Sequence, residues 1–472
     1  MLIEELEHKK ILVLGLGREG VSSFQFLRRR FPEKVIGLAD KLSKNQLDEP
    51  TRRIVENDKR VILISGNDYL KNISQFDIIC KSSGIKPSIP ELDDAKDKGI
   101  KTTSNTGLFF ECCSSTIIGV TGTKGKSTTA TLIYEILKLG GIDVRLTGNI
   151  GTPPLSSLEG TTSSTVFIVE LSSYQLKDLH KSPHIAVILN ITPEHIDFHG
   201  TFAAYVEAKR SIVQHQHEND FIIFNSSDKI STEIANISKA KKLSFGFQET
   251  IHTSCFMENN FLLFHSKEQR EKIVSTKSIH LKGSFNLQNV MPGIIVGKLF
   301  NIPDNNIATA IQNFRPLEHR LEYVETCNGI SFYNDSLATV PEATIAALSV
   351  FSERGLILLV GGFDRGLDLT GLARIIIESR IKGLILFPTT GNRLWDNIVE
   401  IANVRGNLPK HCYSENMREA VQKAYNMASE GDTILLSPAS ASFNLFTDYK
   451  DRGNQFKDEV KNLFKEELRN TK

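Results

Sequence analysis

Short, continuous apolar runs recur along the whole chain and alternate with stretches of helical periodicity. Examples are ILVL at 11–14, TIIGV at 116–120, VFIVEL at 166–171, IAVILN at 185–190, LILLVGG at 356–362 and TILLS at 433–437. Runs of this length without polar alternation are typical of parallel strands that helices cover on both faces. The sequence therefore predicts an α/β fold with mostly parallel sheets.

Length and charge narrow the class of protein further. The chain has 472 residues, with 56 basic and 55 acidic side chains. This length predicts about three domains. The balanced charge argues against binding to nucleic acid or to a membrane surface, because both need clustered basic side chains. A local site for a small anionic substrate is compatible with that balance.

The chain is predicted to work in the cytoplasm without inserting into a membrane. No apolar run approaches the roughly 18 residues that span a bilayer. The start, MLIEELEHKK, lacks the basic and apolar regions of a signal peptide. The six cysteines include no C-x-x-C pair, so we expect neither a disulfide framework nor a zinc site.

Two boundaries give three predicted domains, at 1–104, 105–316 and 317–472. A second strand–loop–helix unit begins after GIKTTSNTG at 99–107, and a third begins after IATAIQNFRPLEHR at 307–320 with the strand-like GISFYND. The segment 241–282 contains the alternating CFMENNFLLF between turn-rich edges. That alternation predicts a small antiparallel piece attached to the middle domain.

A first glycine loop, with Gly15, Gly17 and Gly20, follows the strand ILVL and opens a helical stretch. Glycines there allow a tight turn and a close approach of phosphate to backbone N–H groups. Asp40 ends the next predicted strand, at a distance suited to a ribose contact. Three interpretations stay open at this point: a plain turn, a nicotinamide cofactor site of an oxidoreductase, or a site for a nucleotide-diphosphate substrate.

A second glycine loop runs from Gly119 to Thr129 between a predicted strand and a predicted helix. These are the parts of a phosphate-binding P-loop, in which Lys126 supplies a charge and Ser127 offers a hydroxyl to Mg²⁺. Val120 stands where the usual P-loop pattern has its first glycine. The candidate ATP-binding residues are Gly122, Thr123, Lys124, Gly125, Lys126, Ser127 and Thr128.

The segment T-G-T-x-G-K-S-T resembles the ATP loop of the Mur ligases and of their relative folylpolyglutamate synthase. These enzymes couple ATP cleavage to the formation of an amide bond. The resemblance covers essentially the whole chain in the expected order. It implies a Rossmann-like domain that binds UDP, a central P-loop ATPase-like domain with a mostly parallel sheet, and a C-terminal Rossmann-like α/β domain.

The resemblance assigns roles in the middle domain. Glu170, in E-x-S-S-Y-Q-L, would bind Mg²⁺, and His195, in N-x-x-x-x-H-x-D, would bind or orient a second Mg²⁺. Lys209, on a predicted helix, would be carbamylated and become a metal ligand. Asn286 and Asn289, in G-S-F-N-L-Q-N, would contact ATP and share one helix face. The candidate catalytic residues are Lys126, His195 and Lys209.

Other interpretations of these residues also stay open. Glu170 could be a strand-end acid that faces solvent, and Lys209 could be a solvated surface lysine. Asn286 and Asn289 could cap a helix. His195, Asp197 and His199 could also form a transition-metal site.

The third domain resembles that of the glutamate-adding enzymes of the family through S-P-A-S-A-S-F and R-G-N-Q-F. The resemblance implies that Arg320 and Asp335 complete the ATP site when the domain closes. It assigns glutamate binding to Thr339, Arg365, Ser442, Phe443 and Tyr449. Leu337 departs from the family's D-S-K-A-T pattern, where a lysine is usual, so D- and L-glutamate both stay possible.

The resemblance also resolves the first glycine loop in favour of a UDP substrate. The residues that it assigns to the UDP-sugar are Gly17, Arg18, Glu19, Asp40, Lys41, Ser83, Gly84 and Asn149. The implied activity joins glutamate to UDP-N-acetylmuramoyl-L-alanine through an acyl phosphate, with ATP and two Mg²⁺ ions. The implied partners are small molecules, and the implied state is a monomer. The alternatives are an amide ligase with L-glutamate or another acceptor, and a non-catalytic nucleotide-binding regulator.

Overall fold

The computed structural model describes residues 3–86, 89–249, 253–265, 269–351, 355–379, 381–402 and 408–470, with backbone alone at 466–470. It contains three sheets with helices packed on them, which confirms the predicted α/β fold. Among the described helices, none combines the length and the apolar character needed to cross a membrane.

The first sheet has five parallel strands in the order β3-β2-β1-β4-β5. Its strands are β1 (Ile11–Leu14), β2 (Ile36–Asp40), β3 (Val61–Ser65), β4 (Ile78–Lys81) and β5 (Lys101–Thr103). Its helices are α1 (Arg18–Arg30), α2 (Glu49–Asn57) and α3 (Pro90–Asp97), and α4 (Asn105–Cys112) leads to the next sheet. The apolar strand β1 is fully buried at the centre, as parallel strands covered on both faces require.

The second sheet has nine strands in the order β14-β13-β12-β11-β10-β9-β6-β8-β7. They are β6 (Thr116–Thr121), β7 (Val144–Gly148), β8 (Val166–Glu170), β9 (Ile185–Ile188), β10 (Phe221–Asn225), β11 (Lys241–Phe245), β12 (Thr253–Glu258), β13 (Phe261–His265) and β14 (Arg270–Ser275). The helices are α5 (Lys126–Leu139), α6 (Ser173–Leu176), α7 (Ile196–His199), α8 (Phe202–Gln214), α9 (Lys229–Ile237), α10 (Ser284–Leu299) and α11 (Asp304–Asn313).

The segment 241–282 only partly matches the predicted antiparallel piece. Strands β12, β13 and β14 do form an antiparallel meander. Strand β11 was expected within that piece. It pairs in parallel with β10 on one side and with β12 on the other. The parallel sheet therefore extends farther than the alternation of the sequence indicates, and the meander continues its edge.

The third sheet has six strands in the order β15-β16-β20-β17-β18-β19, of which only the pair β15 and β16 is antiparallel. They are β15 (Glu322–Cys327), β16 (Ile330–Asn334), β17 (Leu356–Gly361), β18 (Ile381–Phe387), β19 (Lys410–Tyr413) and β20 (Thr433–Leu436). The helices are α12 (Pro341–Val350), α13 (Thr370–Glu378), α14 (Thr390–Ala402), α15 (Met417–Met427) and α16 (Tyr449–Asn470).

The chain forms two compact units, which are 1–279 with 285–314, and 280–284 with 315–472. The first unit contains the first two sheets, and one apolar core runs through both. Phe109 on α4 is fully buried and packs edge to face against Phe167 on β8, with ring centroids 5.1 Å apart. Helix α4 therefore joins the two sheets through the core as well as through the chain.

Candidate active site

In each of the three sheets, a polar loop with predicted site residues follows a strand at the point where the strand order reverses. The first glycine loop follows β1, which lies between β2 and β4, and the P-loop follows β6, which lies between β8 and β9. In the third sheet β20 lies between β16 and β17. Crevices outside the carboxyl ends of strands at such points are where open α/β sheets bind ligands.

The P-loop has backbone conformations that only glycine adopts easily. Gly122 has φ 154° and Gly125 has φ 85°. A Cβ atom on Gly125 would lie 2.0 Å from Oδ1 of Asn289, so α10 approaches the loop closely. Asn289 donates from Nδ2 to Oδ1 of Asn286 over 2.9 Å, and both carboxamides are buried. The structure thus places this predicted pair on one helix face, beside the loop.

Two lysine ammonium groups converge on the P-loop. Lys126 donates from Nζ to the carbonyl oxygens of Gly122 at 3.0 Å and Thr123 at 2.8 Å. Lys209 on α8 donates from Nζ to the same Gly122 oxygen at 3.0 Å and to Oγ1 of Thr121 at 3.2 Å. Lys209 is only 1% exposed, so the interpretation of it as a surface lysine is wrong.

The ammonium form of Lys209 is disfavoured in this setting. Burial removes its hydration, and the nearby charge of Lys126 adds repulsion, so the pKa of Lys209 lies well below its usual range. Glu194 and Glu170 oppose this shift but do not reverse it. A neutral buried amine is a nucleophile that can add to an electrophile as small as CO₂.

Glu170 ends β8 and lies opposite Val120 of β6, next to the start of the P-loop. It is 1% exposed, so the interpretation as a solvent-facing acid is wrong. Its Oε1 accepts a hydrogen bond from Nδ2 of Asn149 over 3.0 Å, whereas Oε2 is buried without a partner in the described structure. A buried carboxylate oxygen without a donor fits a hard cation, which would satisfy it. Ser127, in the first turn of α5, is half-buried.

His195 follows Glu194, which contacts the P-loop, and has the left-handed backbone conformation, with φ 57°. Its side chain is 41% exposed, and its Nε2 lies 4.0 Å from Oε2 of Glu194. Glu194 in turn accepts a hydrogen bond from Lys124 of the P-loop. Burial lowers the pKa of His195, against the opposing charge of Glu194. Sequence reasoning missed Glu194, although it directly precedes the histidine of a quoted motif.

An aromatic cluster beside His195 argues against the transition-metal alternative. The ring of Tyr174 lies 5.0 Å from that of His195 and stacks on His199 at 5.7 Å. His199 bonds through Nε2 to Oγ of Ser173 over 3.0 Å, and burial lowers the pKa of His199 to about 4. Within the described ranges, no three His, Cys, Asp or Glu side chains are arranged to hold a metal. His199 therefore supports the loop by packing.

The first glycine loop is shaped by Asp40. The carboxylate accepts the N–H of Leu16 at 2.6 Å and the N–H of Leu42 at 2.8 Å. A Cβ atom on Gly20 would lie 1.7 Å from the carbonyl oxygen of Gly15, so this position requires glycine. One oxygen of Asp40 thus holds the glycine loop after β1, and the other holds the loop after β2. Lys41 and Gly17 are exposed beside it.

Arg18 and Glu19 connect the first sheet to the second. Arg18 donates to the carbonyl oxygen of Gly151. Glu19 accepts the N–H of Ser83 at 3.0 Å on Oε2, and Nε2 of Gln175 on α6 at 2.8 Å on Oε1. The predicted substrate residues of the first domain are therefore brought together, and Glu19 is the acceptor that ties three segments. Gly84 follows on the same turn and is exposed.

In the second unit, Asp335 lies buried where β16 ends. Its Oδ1 accepts the N–H of Leu321 at 3.1 Å, and its Oδ2 accepts the hydroxyl of Ser437 at 2.9 Å. Burial raises the pKa of Asp335 to about 7, although these bonds and the charge of Arg320 oppose the rise. This carboxyl group therefore holds its proton at a pH where an exposed aspartate does not.

Arg452 is a central residue that sequence reasoning named only within the R-G-N-Q-F motif. Its side chain is fully buried on α16. Its guanidinium donates to Oγ of Ser336 at 3.0 Å, to the Ser336 carbonyl at 2.8 Å and to the Ser440 carbonyl at 3.1 Å. The hydroxyl of Ser336 in turn donates to the carbonyl oxygen of Tyr449 at 2.7 Å. Arg452 thus holds the loops after β16 and β20 together.

Four of the predicted glutamate-binding residues lie on loops at the carboxyl edge of the third sheet, and Tyr449 begins α16. Arg365 donates from Nη2 to the carbonyl oxygen of Thr339 over 2.6 Å, which joins the loops after β17 and β16. Ser442 is buried, whereas Phe443 is 67% exposed and meets Phe363 edge to face at 6.1 Å. The guanidinium of Arg365 is a group that can bind a carboxylate through charge-assisted hydrogen bonds.

Comparison with known sequences gives a consistent result along the chain. Residues 120–297 match the Mur ligase middle domain, and residues 319–440 match the Mur ligase glutamate ligase domain. A UDP-N-acetylmuramoylalanine–D-glutamate ligase of Acetivibrio thermocellus is 34% identical over 465 residues, which are 98% of each chain. A protein of the same name from Clostridium botulinum is 34% identical over 97% of this chain and 98% of its own.

Solved structures share the fold at low sequence identity. The UDP-N-acetylmuramate–alanine ligase MurC of Thermotoga maritima superposes with a TM-score of 0.59 at 16% identity, over 96% of this chain and 100% of that one. The MurF ligase of Thermotoga maritima, solved in complex with ADP, also has a TM-score of 0.59 at 16% identity, over 98% and 97% of the two chains. These likenesses confirm the three-domain architecture of mostly parallel sheets.

Proposed function

The chain belongs to the Mur ligase family, and we propose that it joins D-glutamate to UDP-N-acetylmuramoyl-L-alanine in an ATP-dependent reaction. One observation carries the proposal: a P-loop holding Lys126 lies against a buried amine, Lys209, in a chain that also has a glutamate ligase domain. Two full-length relatives at 34% identity are named as ligases for this amino acid. The nicotinamide and regulator alternatives account for neither feature.

In the first step, the alanine carboxylate of the UDP-sugar attacks the γ-phosphorus of ATP. The bond from that phosphorus to ADP breaks, and an acyl phosphate forms. Such a transfer depends on positioning and charge neutralisation more than on covalent help from the protein. We assign Lys126 and the N–H groups of the P-loop to the phosphates, with Asn286, Asn289, Arg320 and Asp335 as further ATP-binding candidates.

We propose Mg²⁺ as the metal ion that this ATP-dependent reaction requires. The unpartnered Oε2 of Glu170 fits a cation, and the hydroxyl of Ser127 is a further oxygen donor at the P-loop. We propose these two residues, Lys209 once carbamylated, and His195 as the residues that hold two Mg²⁺ ions. Bound Mg²⁺ would neutralise phosphate charge. Carbamylation forms a bond from Nζ of the neutral lysine to the carbon of CO₂ and releases one proton.

In the second step, the deprotonated amine of glutamate attacks the acyl carbon. A tetrahedral intermediate forms, inorganic phosphate leaves, and the nitrogen loses a proton to give the amide. We assign the recognition of glutamate to Thr339, Arg365, Ser442, Phe443 and Tyr449. Leu337 stands where relatives of this branch usually carry lysine, so L-glutamate is the second candidate substrate.

The first unit is proposed to hold the UDP-sugar at the loops after β1 and β4. The candidate residues are Gly17, Arg18, Glu19, Asp40, Lys41, Ser83, Gly84 and Asn149. We further propose domain limits at 1–104, 105–316 and 317–472, and a monomer that acts on small molecules in the cytoplasm.

The proposal is tested by phosphate release from ATP and Mg²⁺ in the presence of UDP-N-acetylmuramoyl-L-alanine. Three parallel reactions contain D-glutamate, L-glutamate or no amino acid. We expect release that depends on D-glutamate, with the amide product visible by mass spectrometry. Release with L-glutamate alone would change the substrate and keep the reaction class, and no stimulation by either amino acid would contradict the proposal.

A further inference from the structure

The turn at residues 82–85, which follows β4, is tied to the first glycine loop. Ser82 donates from Oγ to the carbonyl oxygen of Gly15 over 2.9 Å. The N–H of Ser83 donates to Glu19, as described above. The turn is therefore joined to the glycine loop at the point where the strand order of the first sheet reverses.

An ion pair at the end of β4 also contacts this turn. Lys81, the last residue of β4, is 3% exposed. Its Nζ lies 2.7 Å from Oδ2 of Asp178 and donates to the carbonyl oxygen of Ile85 over 3.3 Å. The side chain of Asp178 is 18% exposed. An ammonium this deeply buried requires a partner, because an unpaired buried charge is strongly destabilising.

Asp178 lies eight residues after Glu170, just beyond helix α6. Helix α6 begins three residues after Glu170, and Asp178 follows two residues after its end. Gln175 and Asp178 are three residues apart and both contact the first sheet, through Glu19 and Lys81 respectively. The segment 173–178 thus connects the end of β8 at the P-loop to the turn at 82–85.

We propose that Lys81 and Asp178 are positioning residues for the UDP-sugar substrate. Their ion pair fixes the turn at 82–85 against the second sheet, so that the turn keeps its position beside the glycine loop. This inference rests on the proposed function, which assigns the turn to the UDP-sugar. Neither side chain needs to touch the ligand, since Lys81 is already occupied by Asp178 and the Ile85 carbonyl.

The test compares Lys81→Met and Asp178→Asn with the wild type in the phosphate-release assay. For both variants we expect the KM for the UDP-sugar to rise by about tenfold or more, as a misplaced binding loop predicts. The KM values for ATP and glutamate should stay near those of the wild type. If the single variants do not fold, Lys81→Met/Asp178→Leu, which leaves no buried unpaired charge, should show the same selective rise.

The variant Arg28→Met is a matched control, because it breaks another half-buried ion pair, between a helix that packs on the first sheet and Asp58. Arg28 lies 2.6 Å from Asp58, with side-chain exposures of 19% and 17%, near the end of α1 that is remote from the glycine loop. Arg28→Met should lower the unfolding temperature and leave the KM for the UDP-sugar unchanged. An equal rise in that variant would overturn the proposal, because it would indicate a general loss of stability.

Two further outcomes would overturn it. An unchanged KM in Lys81→Met would show that the turn keeps its position without the ion pair. A raised KM in Lys81→Met with an unchanged KM in Asp178→Asn would mean that Lys81 contacts the substrate itself. Failure of the proposed function is recognised separately, because the wild type would then show no glutamate-dependent phosphate release at all.

Discussion

Lys126 and Lys209 donate hydrogen bonds from their ammonium nitrogens to one acceptor, the carbonyl oxygen of Gly122, each over 3.0 Å. Two positive charges at one oxygen repel each other, and Lys209 is the more deeply buried of the two. Burial and this repulsion lower the pKa of Lys209 well below its usual range, so its proton is lost easily.

Removing the amine of Lys209 should abolish most of the activity. We expect Lys209→Gln to lower kcat by about a hundredfold or more, because a carboxylate-like ligand can no longer form near the phosphates. Wild-type activity should fall in CO₂-depleted buffer and return with bicarbonate, and added acetate should partly restore Lys209→Ala. The next residue offers a control, since the half-buried Arg210 pairs with Glu207 at the surface and Arg210→Gln should keep its activity. Full activity of Lys209→Gln would disprove the assigned role.

Replacing Glu170 should separate stability from activity. Glu170→Gln replaces a buried carboxyl group whose Oε2 has no hydrogen-bond partner among the described residues, so we expect unfolding to require as much urea as in the wild type, or more. The same change should raise the Mg²⁺ concentration for half-maximal activity by about tenfold or more, since a neutral amide is a poor ligand for a hard cation. Activity titrations with Mg²⁺ would show this, and an unchanged Mg²⁺ requirement would contradict the assignment.

Asp335 should make the stability of the second unit depend on pH. Its pKa is raised to about 7 in the folded chain, against about 3.9 in an unfolded one. Such a group contributes most stability below about pH 4, and the contribution is lost as the pH rises through 7. The unfolding free energy of the wild type minus that of Asp335→Asn should therefore fall over this interval, by at most about 1.4 kcal/mol per pH unit.

Urea unfolding at several pH values measures this difference. Ser437→Ala provides a second arm, because the hydroxyl hydrogen bond of Ser437 lowers the pKa of Asp335. Without it the loss of stability should extend to higher pH. A difference between the wild type and Asp335→Asn that is flat from pH 4 to pH 7 would refute the prediction.

The sequence predicted those features that local chemistry determines. Glycines at Gly122 and Gly125 indicate a P-loop because few other residues adopt those conformations, and apolar runs such as that of β6 predict buried strands. The deep burial of Lys209 could not be predicted, since it depends on how α8 packs against the P-loop. The pairing of Lys81 with Asp178 was missed for the same reason, because the two residues meet only through the packing of separate sheets. Strand β11 was misplaced because alternation alone does not distinguish parallel from antiparallel neighbours.

Arg365 should determine the affinity for the amino acid. Its guanidinium is the cation that joins the loops after β17 and β16, through the carbonyl of Thr339. We expect Arg365→Met to raise the KM for glutamate by about tenfold to a hundredfold and to leave the KM for ATP unchanged, as the loss of a charge-assisted contact predicts. Lys382→Met, which breaks the ion pair with Asp432 at the opposite end of the sheet, serves as the control. Equal effects of both variants on glutamate would refute the assignment.

The central claim is that ATP activates the alanine carboxylate as an acyl phosphate before glutamate attacks it. The most direct measurement uses UDP-N-acetylmuramoyl-L-alanine labelled with ¹⁸O in that carboxylate, together with ATP, Mg²⁺ and D-glutamate. The mechanism predicts that one labelled oxygen appears in the inorganic phosphate for each amide formed, because the phosphate leaves with the oxygen that attacked ATP. Amide formation with unlabelled phosphate would contradict the account.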